Sequence, residues 1–222
     1  MRLNKIGGIL LAALMATVAS ASTIQPLELD NTAGMQVGLK VNGTEHNEWA
    51  GPFIATVDGV QTVEVFCLDF FTSIDYHQYT VTITAPSSAF QAAAQMYSTF
   101  VANFANSTPQ TRALYGAALQ IALWDVVIDG VGTPGAGMQA GNFQESTLNP
   151  FSNSHPSLES VVNSYLSATL GPVAAGTVIY QSASQDIPMQ TLIGGGGNGV
   201  PEPGTFLMLG GGLLAIGLIR RR

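Results

Sequence analysis

The sequence predicts an α+β domain: a β-rich N-terminal half built from hairpins, a helical segment packed with it, and closing strands. Three observations predict this. From about Met35 to Thr84, apolar and polar residues alternate and are punctuated by Asn42-Gly43 and Asp58-Gly59, the dipeptides that supply the positive φ angles of tight hairpins. From Ser87 to Ile128 the apolar spacing changes to that of helices. Of the 222 residues 46% are hydrophobic, which excludes a mainly disordered chain.

In chain order, Met1 to Lys5 form a positive n-region, Ile6 to Val18 a short apolar run, and Ala19-Ser20-Ala21 a small-x-small cleavage site. Residues 1–21 therefore read as a secretory signal peptide, with the mature chain starting at Ser22. The apolar run is too short for a spanning anchor. Residues 22–193 form the predicted extracellular domain.

Met35 to Val41, Phe53 to Val57 and Val60 to Phe70 read as strands, with Tyr79 to Thr84 as a further one. In the third run Val63, Val65 and Cys67 share one face, while Thr62, Glu64, Phe66 and Leu68 share the other. Cys67 is the single cysteine of the chain. In an exporting compartment a lone thiol is buried and inert, paired with another molecule, or chemically used.

Ser87 and Ser88 are candidate caps for a helix carrying Phe90, Ala94, Tyr97, Val101 and Phe104 at helical spacing. Thr108 and Pro109 supply an N-cap and an N1 proline for a second helix that runs to about Ile128. One stripe of that helix carries Ala113, Gly116, Ala117, Gln120, Leu123, Trp124 and Val127, and the opposite side is apolar as well. The helix is thus predicted to be buried nearly all round, with a primary amide at its centre. An unpartnered amide there costs on the order of 1–3 kcal/mol. The small residues at 113, 116 and 117 would admit the close approach of another backbone.

A Gly-, Pro- and Asn-rich loop is expected over about Gly130 to Ser154. A third helix opens at Pro156, carries Leu158, Val161, Val162 and Tyr165, and is stopped by Gly171-Pro172. Thr177 to Gln181 and about Pro188 to Ile193 read as closing strands, and residues 194–199 as a glycine-rich linker. The tail, 200–222, holds an apolar run from Thr205 to Ile219, then Arg220, Arg221 and Arg222. That run is expected to enter the inner membrane with its arginines cytoplasmic, placing the body on the outer side.

Charge excludes some functions. Of seven Lys and Arg, five lie at the extreme ends, leaving Lys40 and Arg112 against the chain's fourteen carboxylates. Such a surface repels phosphate backbones, so no nucleic-acid partner is expected. Asp69, Asp75, Asp125 and Asp129 do not fall in an EF-hand pattern, and His46, His77 and His155 are too scattered for a metal-ligand set. No cofactor, metal-ligand motif or catalytic constellation is expected, although calcium or a cationic partner would be compatible with so acidic a surface.

Val200-Pro201-Glu202-Pro203, one apolar helix and terminal arginines together resemble the PEP-CTERM sorting signal of Gram-negative bacteria. The resemblance implies an exosortase partner, cleavage near Pro201-Glu202-Pro203, transient anchoring in the inner membrane, and delivery to the cell surface or an exopolysaccharide and biofilm matrix. A plain C-terminal anchor is the simpler reading of the same residues.

Phe66-Cys67-Leu68-Asp69 and Leu119-Gln120-Ile121-Ala122-Leu123-Trp124 resemble the paired motifs of bacterial thioester domains. In many members a Thr precedes the Gln, where this chain has Leu119, and the best-known members are Gram-positive adhesins. The resemblance implies a bond between Cys67 and Gln120, with Phe66, Asp69 and Trp124 around it. An amine on a surface or matrix target would then open the thioester, making the protein a single-use covalent adhesin instead of an enzyme. A matrix protein of the same fold, in which Cys67 and Gln120 merely pack, is the alternative. A cysteine hydrolase using His77 or His155 as base is the third reading.

Overall fold

A computed structural model describes residues 21–74, 76–130, 138, 141–183 and 189–195. The expected signal peptide before Ala21, the sorting motif Pro201-Glu202-Pro203, the apolar run 205–219, Arg220 to Arg222, and Asp75 lie outside the described residues.

Among the described residues, nine strands and four α-helices lie in the order β1 (Ala21–Leu29), β2 (Met35–Val41), β3 (Thr44–Ala50), β4 (Phe53–Val57), β5 (Gln61–Cys67), β6 (Tyr79–Thr84), α1 (Gln91–Ala105), α2 (Pro109–Ile128), β7 (Phe143–Glu145), α3 (Phe151–Ser154), α4 (Pro156–Leu166), β8 (Thr177–Ser182) and β9 (Leu192–Gly195). Six strands close a barrel in the order β1-β4-β5-β9-β8-β6, and a separate sheet has the order β3-β2-β7. Every paired strand is antiparallel, as the hairpin-rich sequence implies. The α+β class is the one expected.

The two turn dipeptides act differently. Asn42 (φ 50°) and Gly43 (φ 81°) make a two-residue turn, with Val41 opposite Thr44. Asp58 and Gly59 also have positive φ, but Val57 pairs with Gln61. That loop therefore has three residues, and Val60, read from the sequence as strand, projects into solvent. β3 was not expected: Thr44-Glu45-His46-Asn47-Glu48 lacks apolar alternation, which suits an edge strand paired on one side only. β1 was also unexpected. It joins the barrel between β4 and β6, with its register shifting between Pro26 and Glu28.

Other boundaries moved for identifiable reasons. A 3₁₀ turn at Ser88–Phe90 precedes α1, and Ser87 makes no side-chain cap. α4 stops at Leu166, before Gly171-Pro172. The chain beyond it crosses α1, where Thr99 Oγ1 accepts from the Gly171 N–H and Ser98 Oγ accepts from the Ala174 N–H. The expected 130–154 loop contains β7 and the single-turn α3. β9 starts at Leu192 and takes in Gly194 and Gly195, the first two residues of the expected linker. Gly194 is paired on both sides, with Val65 of β5 and Val178 of β8.

α2 is the centre of the packing. Gly116 through Val126 are buried without interruption, as expected of a helix covered on all sides. It packs on α1, α4, β3, β5 and β7. A Cβ added at Gly116 would lie 1.9 Å from the carbonyl oxygen of Ala33, so the small-residue stripe does admit another backbone. At its start, Thr111 Oγ1 accepts from the Thr108 N–H at 3.1 Å, tying down the predicted cap. No helix among the described residues is long and apolar enough to cross a membrane.

Candidate functional site

Two chain segments meet at the end of β5. Cys67 is its last residue, not a mid-strand residue as expected, and β5 runs between β4 and β9 in the barrel. In antiparallel pairing a residue turns both backbone groups to one neighbour, and the next residue turns them to the other. Leu68 uses the β9 side, donating its N–H to Thr191 O at 2.8 Å. Cys67 therefore faces the β4 side, where pairing has already ended at Phe53 opposite Val65.

The side chain of Gln120 fills that vacancy. The Cys67 N–H donates to Gln120 Oε1 at 3.0 Å, and Gln120 Nε2 donates to Cys67 O at 2.7 Å. Gln120 is fully buried and Cys67 is 1% exposed. The amide at the centre of the apolar stripe is thus partnered twice by the backbone of one residue, the one that bears the lone thiol. Cys67 forms no disulfide. Burial pushes its thiol pKa up, and the charge of Asp69 adds to the effect.

The three expected surroundings divide. Trp124 shares with Cys67 the wall of a cavity of about 300 Å³. Its Nε1 is buried and has no hydrogen-bond partner among the described residues. Phe66 does not share that cavity. Neighbouring strand side chains point to opposite faces, and Phe66 packs edge-on against Tyr97 and Phe104 of α1. Asp69 organises the following turn: it accepts the Phe71 N–H at 3.0 Å and bonds the Thr72 hydroxyl. Its contribution at Cys67 is electrostatic.

His46, Glu48 and Trp49 of β3, Phe53 of β4 and Gln190 also line the cavity, none of them expected there from the sequence. The Asn42-Gly43 turn was the available signal, because a tight hairpin turn requires a second strand directly after it. Gln190 Nε2 donates to the carbonyls of Asp69 (2.7 Å) and Thr72 (2.6 Å), fixing the loop that carries Phe70 to Ile74 over the cavity. Phe70 stacks edge-to-face on Trp124 at 5.0 Å and on His46 at 5.1 Å, and Phe71 is 63% exposed at the surface.

Neither His77 nor His155 lines the cavity; His46 does. No group of three or more His, Cys, Asp or Glu among the described residues is arranged to hold a metal ion. Arg112 is paired with Glu64 and lies 3.5 Å from Asp30, over the Phe104 ring.

Comparison with known proteins finds a match at the tail and similarity over the body. No curated protein matches the sequence. Among solved structures, the chain is similar to the N-terminal thioester domain of the fibronectin-binding protein SfbI from Streptococcus pyogenes, at 9% identity and TM-score 0.42, covering 76% of this chain and 96% of that one. It is also similar to the N-terminal thioester domain of a surface protein from Clostridium perfringens, at 11% identity and TM-score 0.35, covering 64% and 87%. Residues 199–222 match the PEP-CTERM protein-sorting motif, which implies an exported protein that an exosortase recognises and that is anchored transiently in the membrane before processing.

Proposed function

We propose that this protein is an exported surface or extracellular-matrix component that binds its target covalently, once, through an internal thioester between Cys67 and Gln120. It is not a turnover enzyme in this reading. The observation that carries it is the double hydrogen bond between the Gln120 carboxamide and the Cys67 backbone, made in a buried site whose wall includes Trp124. Those bonds hold the amide against the residue that bears the thiol, and restricting both groups lowers the entropic cost of reaction.

The chemistry balances without a further reactant. Cys67 Sγ attacks the side-chain carbonyl carbon of Gln120, the C–S bond forms, the C–N bond breaks, and the thiol proton leaves with the nitrogen as ammonia. An amine on a surface or matrix partner then displaces sulfur: a C–N bond forms, the C–S bond breaks, and the amine proton restores the thiol. Exclusion of water from the buried site slows competing hydrolysis. Anchoring by the tail would present the body to the cell exterior, within a biofilm or exopolysaccharide matrix.

A second reading has its own observation. The same two bonds satisfy backbone groups that β4 leaves unpaired, so Gln120 would serve as a strut in a non-covalent matrix protein. A cysteine hydrolase has less support, because neither His77 nor His155, the bases it would use, lines the cavity that Cys67 lines. Intact mass of the exported chain decides between the first two. Loss of one ammonia, abolished by Cys67→Ala and by Gln120→Ala, is expected; an unmodified mass with a titratable thiol sinks the thioester.

A further inference from the structure

We propose that the Trp124 indole N–H and the Cys67 backbone N–H together form an oxyanion hole for the side-chain carbonyl of Gln120, acting both when the thioester forms and when an amine opens it. The inference rests on the thioester reading and deepens it by assigning the groups that carry the developing charge.

Attack on an amide or thioester carbon turns its carbonyl oxygen into an oxyanion. In a buried site that charge requires donors already in place. One is present: the Cys67 N–H meets Gln120 Oε1 at 3.0 Å. It belongs to the nucleophile's own residue, so it stays beside the reacting carbon throughout.

The second donor is indicated by an unspent hydrogen bond. Trp124 is 5% exposed, and its Nε1 is out of contact with solvent and without a partner among the described residues. A buried N–H left so costs on the order of 1–3 kcal/mol, and such groups are rare enough to require an explanation. Because water does not reach the atom, any acceptor for it lies inside the protein. Trp124 stands four residues after Gln120 in α2, on the same stripe. Helical side chains lean toward the N-terminus and cover the preceding turn, which for Trp124 is the turn that carries Gln120.

Trp49 has the other buried indole N–H without a partner among the described residues, but it is differently placed. A Cβ built on Gly34 would lie 2.7 Å from Trp49 Nε1, so that atom is packed against the 33–34 backbone. In the unreacted amide, the Cys67 N–H is the donor to Gln120 Oε1 among the described residues. The additional acceptor capacity of an oxyanion is what the Trp124 N–H would meet, giving stabilisation in the transition state beyond that in the ground state.

The test uses the full chain, with ammonia loss followed by intact mass and opening of the thioester by added methylamine. Two variants separate the N–H from the ring: Trp124→Phe, and Trp124→β-(3-benzothienyl)alanine, which keeps the bicyclic shape and replaces N–H by sulfur. Both should retain the parental unfolding midpoint within a few degrees, and both should slow ammonia loss and methylamine addition by about 10²-fold. Less than about tenfold slowing in the benzothienyl variant overturns the assignment, whatever Trp124→Phe does, since packing is then the cause. A parent chain that never loses ammonia overturns the thioester reading and this inference with it. Ammonia loss in the parent with unslowed variants overturns this inference alone.

Discussion

The carboxamide of Gln120 occupies the place of a strand beside Cys67, accepting from its N–H at 3.0 Å and donating to its carbonyl at 2.7 Å. Two buried backbone groups therefore depend on one side chain. In a Cys67→Ala background, where no thioester can form, adding Gln120→Ala removes both partners and opens a cavity. Each unsatisfied buried group costs on the order of 1–3 kcal/mol, so the second substitution should cost roughly 2–5 kcal/mol in urea unfolding. A difference below about 0.5 kcal/mol, typical of surface changes, would mean that the two bonds contribute nothing.

Thiol reactivity reports on the same site. Burial, then the Asp69 charge, raises the Cys67 pKa, and only the thiolate is nucleophilic. In a Gln120→Glu variant, which keeps the shape but has no amide to lose, iodoacetamide at neutral pH should alkylate Cys67 far more slowly than a cysteine in an unfolded peptide. Denaturant should remove the difference. Rapid alkylation of the folded variant, measured by mass, would show that the thiol is not shielded.

Much of this was legible in the sequence, and what was not has physical reasons. Asn42-Gly43, Asp58-Gly59 and Thr108-Pro109 mark local backbone states set by a few residues, and each turns or caps the chain where expected, although the loop at Asp58-Gly59 takes in Val60 as well. The stripe through Gly116, Gln120 and Trp124 correctly indicated a helix buried on every side. β3 was missed because an edge strand needs little apolar alternation, and with it went His46, Glu48 and Trp49. The meeting of Gln120 with the Cys67 backbone depends on where β4 stops pairing, at Phe53. That is a property of barrel closure, and local pattern does not carry it. Phe66, expected beside the site from the motif, packs on α1 from the opposite face of β5, as the strand alternation itself implies.

The close approach at Gly116 gives a packing prediction of definite sign. Alanine is favoured over glycine in a helix interior by about 1 kcal/mol, which would make Gly116→Ala stabilising at an open position. Here the new Cβ would fall 1.9 Å from the Ala33 carbonyl oxygen and 3.3 Å from the Phe104 ring. Backbone must shift, and overpacking typically costs about 1–3 kcal/mol. Net destabilisation of about 1–2 kcal/mol is expected from thermal or urea unfolding. A gain in stability would show that the 30–34 turn yields freely.

Asp125 provides a pH signature for the same helix. Burial first, and the neighbouring Asp129 charge second, push its pKa from 3.8 to about 7. Between those values the folded protein binds a proton that the unfolded chain has released, so stability must fall as pH rises from about 4 to about 7 and level off above. Asp30 acts in the opposite sense at lower pH. Burial tends to raise its pKa, but the Thr32 hydrogen bonds and Arg112 hold it below the usual value, so its contribution is lost on acidification below about pH 4. Asp125→Asn mimics the neutral side chain and removes only the first of these effects. The drop in unfolding midpoint between pH 5 and pH 8 should therefore shrink in Asp125→Asn, while the loss below pH 4 persists. An unchanged drop between pH 5 and pH 8 would assign the slope to other groups and leave Asp125 ionised in the fold.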